Sequence, residues 1–102
     1  MNLKNKSAVI LYFTTSSCSV CKVLKPAVLN LITENFPEIE FIEINTEKNP
    51  KTAAEYDAFS VPLILVFFEG KEFFRTGRFT SISELKESIE RPYRMVFEDK
   101  SI

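Results

Sequence analysis

A chain of 102 residues has room for one domain and none for a second, and 45% hydrophobic with 13% aromatic content lets it bury a core without covalent staples. Ten Phe and three Tyr exclude a disordered composition. Thirteen basic and fourteen acidic residues are scattered and nearly cancel, to a net charge of -1, which excludes the electrostatic footprint that nucleic acid or an anionic membrane requires.

The first apolar run is "AVILYF", residues 8–13. It is far shorter than the roughly 20 residues of a membrane span. Lys4 and Lys6 precede it, yet it is also shorter than a signal-peptide core of ~7–15 residues, and no A-x-A-like cleavage site follows. It reads instead as a strand buried on both faces. Without a signal the expected compartment is cytoplasmic, where a lasting structural disulfide is unusual and a CxxC pair is more often catalytic or metal-binding.

After "TTSS" the period changes. Val20, Val23, Leu24, Ala27, Val28, Leu31 and Ile32 recur at helical spacing, predicting a helix from the cysteines to about Asn35 with a kink at Pro26. "IEFIEI" (39–44) reads as a second strand. In "TEKNPKTAAEYDAF", Asn49 can cap a short helix whose first position suits Pro50. "VPLILVFF" (61–68), a turn at Glu69-Gly70-Lys71 and "EFFRT" (72–76) predict an antiparallel hairpin. Ser81 and Glu84 form a capping box for a last helix, which Arg91-Pro92 is expected to end. The order is βαβαββα, an α/β architecture with a mixed central sheet flanked by helices on both faces. Residues 1–102 form a single domain with its core at about 8–90, and 91–102 form a tail without a strong period.

"SSCSVCK", residues 16–22, holds both cysteines. A helix beginning just after a strand offers free N–H groups and the positive end of its dipole, which stabilises a thiolate and lowers the pKa of Cys18 below the free value of about 8.5. Cys21, one turn further in, is the more buried thiol. Cys18 is therefore expected to attack a substrate disulfide, and Cys21 to resolve the mixed disulfide and close an internal bond. A zinc site is disfavoured, because two Cys and no His fall short of the usual four ligands. Electrons can pass through the cysteines alone, so neither an organic cofactor nor a metal is implied.

Taken together, "AVILYF", Cys18 and Cys21, Pro26, "NPKTAAEYDAFSVP" and a hairpin with Gly70 and Gly77 resemble the thioredoxin superfamily over roughly residues 8–90. The resemblance implies a minimal thioredoxin-like fold, since only residues 1–7 precede the first strand. It makes Cys18 the nucleophile and Cys21 the resolving thiol, and it matches Val61-Pro62 to the family's cis-proline beside the cysteines. The implied substrate groove takes in Ser17, Ser19, Val20, Val61, Pro62 and Gly77. There are departures. Ser17 stands where the family has Trp, and Ser19-Val20 where it has Gly-Pro. Tyr12 takes the place of the family's buried Asp, and Glu43 that of a nearby Lys.

Two residues are thus candidates for proton transfer. Glu43 lies in an apolar run whose burial would raise its pKa toward a useful range, making it a relocated base. The alternative is an outward-facing carboxylate. Tyr12 is either a core aromatic or a catalytic hydroxyl. Phe67, Phe68, Phe73 and Phe74 read as packing residues, while Phe79, Tyr93 and Phe97 can cover an exposed face or meet a second subunit.

The leading expectation is a cytoplasmic thiol-disulfide oxidoreductase, serving cell redox homeostasis by reducing protein disulfides. Its partners would be disulfide-containing proteins and a reductase or thiol system that regenerates the dithiol. A glutaredoxin-like glutathione-dependent enzyme ranks second, because the glycines of a glutathione anion site are missing from "LILVFFEGK". A redox-inactive binding or adaptor module is the reading from another class.

Overall fold

A computed structural model describes Leu3 and residues 5–98 of the chain. The elements follow the expected order: β1 (Ala8–Thr14), α1 (Ser19–Asn35), β2 (Glu40–Asn45), α2 (Pro50–Glu55), β3 (Leu63–Phe68), β4 (Lys71–Thr76) and α3 (Ile82–Tyr93). The sheet runs β2-β1-β3-β4. β1 pairs parallel with β2, Tyr12 opposite Glu43, and antiparallel with β3, Phe13 opposite Leu63. β4 returns antiparallel to β3, with a register irregularity between Val66 and Phe67.

Every residue of β1 is buried, because the strand is interior to the sheet and covered on both faces. Ala8, Ile10 and Tyr12 point into one core with Cys21, Val28, Leu31 and Ile32 of α1 and Leu85, Ile89 and Tyr93 of α3. Val9, Leu11 and Phe13 point the other way, into a second core with Ile44, Leu65, Phe67 and Ala53 of α2. The period of two in a strand divides a wholly apolar run between two cores. No helix among the described residues is long and apolar enough to cross a membrane.

Four local expectations need correction. Arg91-Pro92 does not end the last helix: Pro92 lies inside α3, and a wider π-type turn, α4 (Arg94–Glu98), continues it. Packing outweighs the proline. Buried Tyr93 meets Phe36 edge-on at 5.0 Å and Phe97 at 4.9 Å, and its hydroxyl accepts from the Glu38 N–H at 3.2 Å. The tail is therefore docked as far as Phe97, and residues 99–102 lie outside the described residues.

Second, Asn49 occupies the N-cap position of α2 without a side-chain capping bond, since its amide donates instead to the Asn45 carbonyl at 3.0 Å. Third, the hairpin turn is Glu69-Gly70, with φ of 53° and 80°, so Lys71 already belongs to β4. Two central residues with positive φ match the right-handed twist of the flanking strands. Fourth, Phe73 is largely exposed rather than core, although its ring still packs edge-on against Phe68 at 5.6 Å.

Candidate redox site

Parallel pairing of β1 with β2 brings both carboxyl ends to one edge of the sheet, and antiparallel pairing brings the start of β3 and the end of β4 to the same edge. The loop from Thr14 to Cys18, the Val61-Pro62 bond before β3 and Gly77 after β4 therefore meet there, at the end of an open α/β sheet where sites gather. Val61-Pro62 is cis, as the resemblance implies. A methyl group built on Gly77 would lie 3.5 Å from the Pro62 carbonyl oxygen, which places the two loops in contact.

Cys18 is the N-cap of α1. Its backbone is extended (φ -82°, ψ 101°) and its Sγ accepts from the Cys21 N–H at 3.1 Å, the bond that a Ser or Asp oxygen would take at such a position. Cys18 and Cys21 are bonded as a disulfide, with their Cα atoms 5.3 Å apart. They differ in access. Cys18 is half-buried at the rim, whereas Cys21 is 1% exposed within the core. The loop before them is tied down by Asn45, whose amide donates to Ser16 Oγ at 3.2 Å while its Oδ1 accepts from the Glu47 and Lys48 N–H groups.

Tyr12 is fully buried and donates its hydroxyl to the Cys21 carbonyl at 2.7 Å, joining β1 to the first turn of α1. Burial first, and Glu43 second, push its pKa up to about 12, so at neutral pH it is a donor that anchors the helix. Glu43 lies across the β1–β2 register from it. The carboxylate faces outward, 38% exposed, and pairs with Lys25 Nζ at 2.7 Å, so the desolvation behind the base reading is not met. An isolated "FIEI" does not reveal that β2 is an edge strand with one open side.

Among the described residues, two grooves lie around the cysteines. One, about 400 Å³, is apolar and lined by Ser19, Val20, Val23, Leu24, Ala27 and Arg78. The other, about 430 Å³, is polar and includes Thr15, Ser16, Lys22, Glu43 and Asn45. Of the expected groove residues, Ser19 and Val20 line the apolar groove, Ser17 is exposed beside Cys18, and Val61 packs at the rim of the core that Cys18 also meets. Val23 keeps the helical spacing and is nonetheless 77% exposed. The seven apolar positions on α1 cover more than one stripe: Val28, Leu31 and Ile32 face the core, and Val20, Val23 and Ala27 the groove. Asn45, Lys25 and Arg78 were not singled out from the sequence. Their types carry no signal until the fold assembles them.

Residues 1–91 match the thioredoxin family model. The chain is 30% identical to a thioredoxin-like protein, YdfQ, of Bacillus subtilis, over 91% of its own length and 82% of the relative's. It is 36% identical to thioredoxin of Buchnera aphidicola, over 82% and 76%. Among solved structures, thioredoxin 1 of Thermosipho africanus superposes with a TM-score of 0.77 at 33% identity, covering 85% of this chain and 96% of that one. Neither the glutathione-dependent nor the adaptor alternative is favoured by these relatives. The chain belongs to the thioredoxin family and is a thiol-disulfide oxidoreductase of protein disulfides.

Proposed function

We propose that the protein reduces protein disulfides with Cys18 as the attacking thiolate and Cys21 as the resolving thiol. The observation that carries this division is their unequal access: an incoming disulfide can reach half-buried Cys18 at the helix start, but reaches Cys21 only through Cys18. The N–H of Cys21, aimed at Cys18 Sγ, would stabilise the thiolate in the reduced form together with the helix dipole.

In the forward cycle the Cys18 thiolate attacks one sulfur of the partner's disulfide. The partner's S–S bond breaks, and its second sulfur leaves as a thiolate. Cys21, having lost its proton to solvent or to that thiolate, attacks Cys18 Sγ. The mixed disulfide breaks, the partner departs as a dithiol with two electrons gained, and the Cys18–Cys21 bond forms. A reductase or thiol system then returns two electrons and two protons. Tyr12 holds Cys21 in place rather than accepting its proton, and Glu43 stands outside the proton path. Val61, Pro62 and Gly77 would align the partner's backbone, as the resemblance implies. We place this work in the cytoplasm, since both cysteines of the chain are committed to the redox pair.

Cys21→Ser should trap the first intermediate. Incubated with oxidised protein disulfides, that variant is expected to accumulate mixed disulfides on Cys18, seen as thiol-sensitive adducts by intact mass, while Cys18→Ser accumulates none. Adducts on Cys21 in the Cys18→Ser variant at an equal rate would abolish the division of roles, and no adducts in either would end the reading.

A further inference from the structure

The apolar groove starts at Ser19 and Val20, the two residues between the cysteines, and carries a single charged side chain, Arg78. Arg78 joins no ion pair among the described residues. Its guanidinium carbon lies 5.5 Å from the ring centroid of Phe79, which is itself 91% exposed. Stacking on a ring holds the guanidinium in place and leaves its fork of donors free for a carboxylate. A large aromatic residue left in water this fully, next to an unpaired cation and one short loop after the sheet edge that carries the cysteines, is a surface waiting for a covering chain.

On the other side of Cys18 the pattern repeats. The polar groove holds Lys22, also unpaired among the described residues, while its one carboxylate, Glu43, is already held by Lys25. The uncompensated charges lining both grooves are therefore positive, in a chain whose net charge is -1.

Resting on the oxidoreductase reading above, we infer that Arg78 and Phe79 select the partner: the segment beside the attacked cysteine presents an apolar side chain to the groove and an Asp or Glu to Arg78. The apolar residue covers Val20 and Val23, and the carboxylate takes the guanidinium fork in a charge-assisted contact. Lys22 adds attraction on the opposite flank. The preferred substrates are disulfides set in acidic, apolar sequence.

The test uses three synthetic peptides with the same internal disulfide and one Leu beside the attacked cysteine, flanked by Asp, Asn or Lys. Each is mixed in excess with the fully reduced protein, and the second-order rate of protein oxidation is read in a single turnover, without any regenerating enzyme. Wild type is expected to react with the Asp peptide roughly tenfold faster than with the Lys peptide, as one close charge pair can give. The ratio should shrink at high salt, approach one in Arg78→Gln and invert in Arg78→Glu. A wild-type ratio within twofold of one, or a ratio unchanged in Arg78→Glu, would overturn the assignment while leaving the oxidoreductase intact. If wild type reacts with none of the three, the neutral Asn peptide included, the reading of the redox site fails and this inference fails with it.

Discussion

Around the redox pair, single atoms divide the labour. Cys18 Sγ sits where a capping oxygen would sit, so the group that satisfies a free N–H of the helix is also the nucleophile of the proposed cycle. Tyr12 fixes the other cysteine through the Cys21 carbonyl, and that bond makes two measurable predictions. At neutral pH Tyr12→Phe should cost about 1 kcal/mol in urea unfolding, the usual worth of one buried hydrogen bond. At alkaline pH the sign changes. The folded pKa of Tyr12, about 12, lies above its unfolded value of 10.0, so its stabilising contribution is whole below pH 10 and is lost as pH rises through 12. Wild type should thus lose roughly 2–3 kcal/mol relative to the Phe variant across that window, the size of a two-unit shift. Parallel alkaline curves would show that the hydroxyl is not buried as described. Glu43→Gln is expected to leave turnover within about twofold and stability within 1 kcal/mol, since it removes only an exposed ion pair. A large loss at neutral pH with wild-type stability would restore the carboxylate as a base.

Elements were legible where a local rule and the packing agree. Ser81 and Glu84 spelled a capping box, and both reciprocal bonds are present, at 3.1 and 3.2 Å. Ser81→Ala should therefore cost about 1 kcal/mol. Leu85 and Ile89, four residues apart on one face of α3, are fully buried. Leu85→Ala is expected to cost ~2–5 kcal/mol by opening a cavity between α3 and the sheet, against less than 0.5 kcal/mol for an exposed change such as Glu87→Ala. A Leu85→Ala cost near that of Glu87→Ala would mean that α3 does not close this core. Where distant residues decide, the local rule failed. Pro92 forecasts a helix end, but Phe36 and Glu38, the latter 55 residues back in sequence, hold Tyr93 and carry the helix through. Val23 keeps the helical period and still faces water, because period alone does not say which stripe a neighbour covers.

For the whole molecule, the alternation of strands and helices already implied a mixed sheet covered on both faces, and two cores on either side of β1 realise it. The candidate site was legible in its disulfide-bonded pair and its cis-proline, because CxxC and Val61-Pro62 are compact in sequence. Its surroundings were not. Asn45, Lys25 and Arg78 come from three different elements and loops, and only the sheet topology gathers them at one edge. What unites these scales is the proposal that Cys18 and Cys21 interconvert between dithiol and disulfide as one two-electron unit. The most direct test is a redox titration of the intact protein in defined thiol-disulfide buffers, counting free thiols by alkylation and intact mass. A single reversible transition is predicted, in which both thiols appear together at a potential nearer about -270 mV than -180 mV. Thiols that alkylate independently, or a disulfide that never reopens in the buffer range, would contradict it.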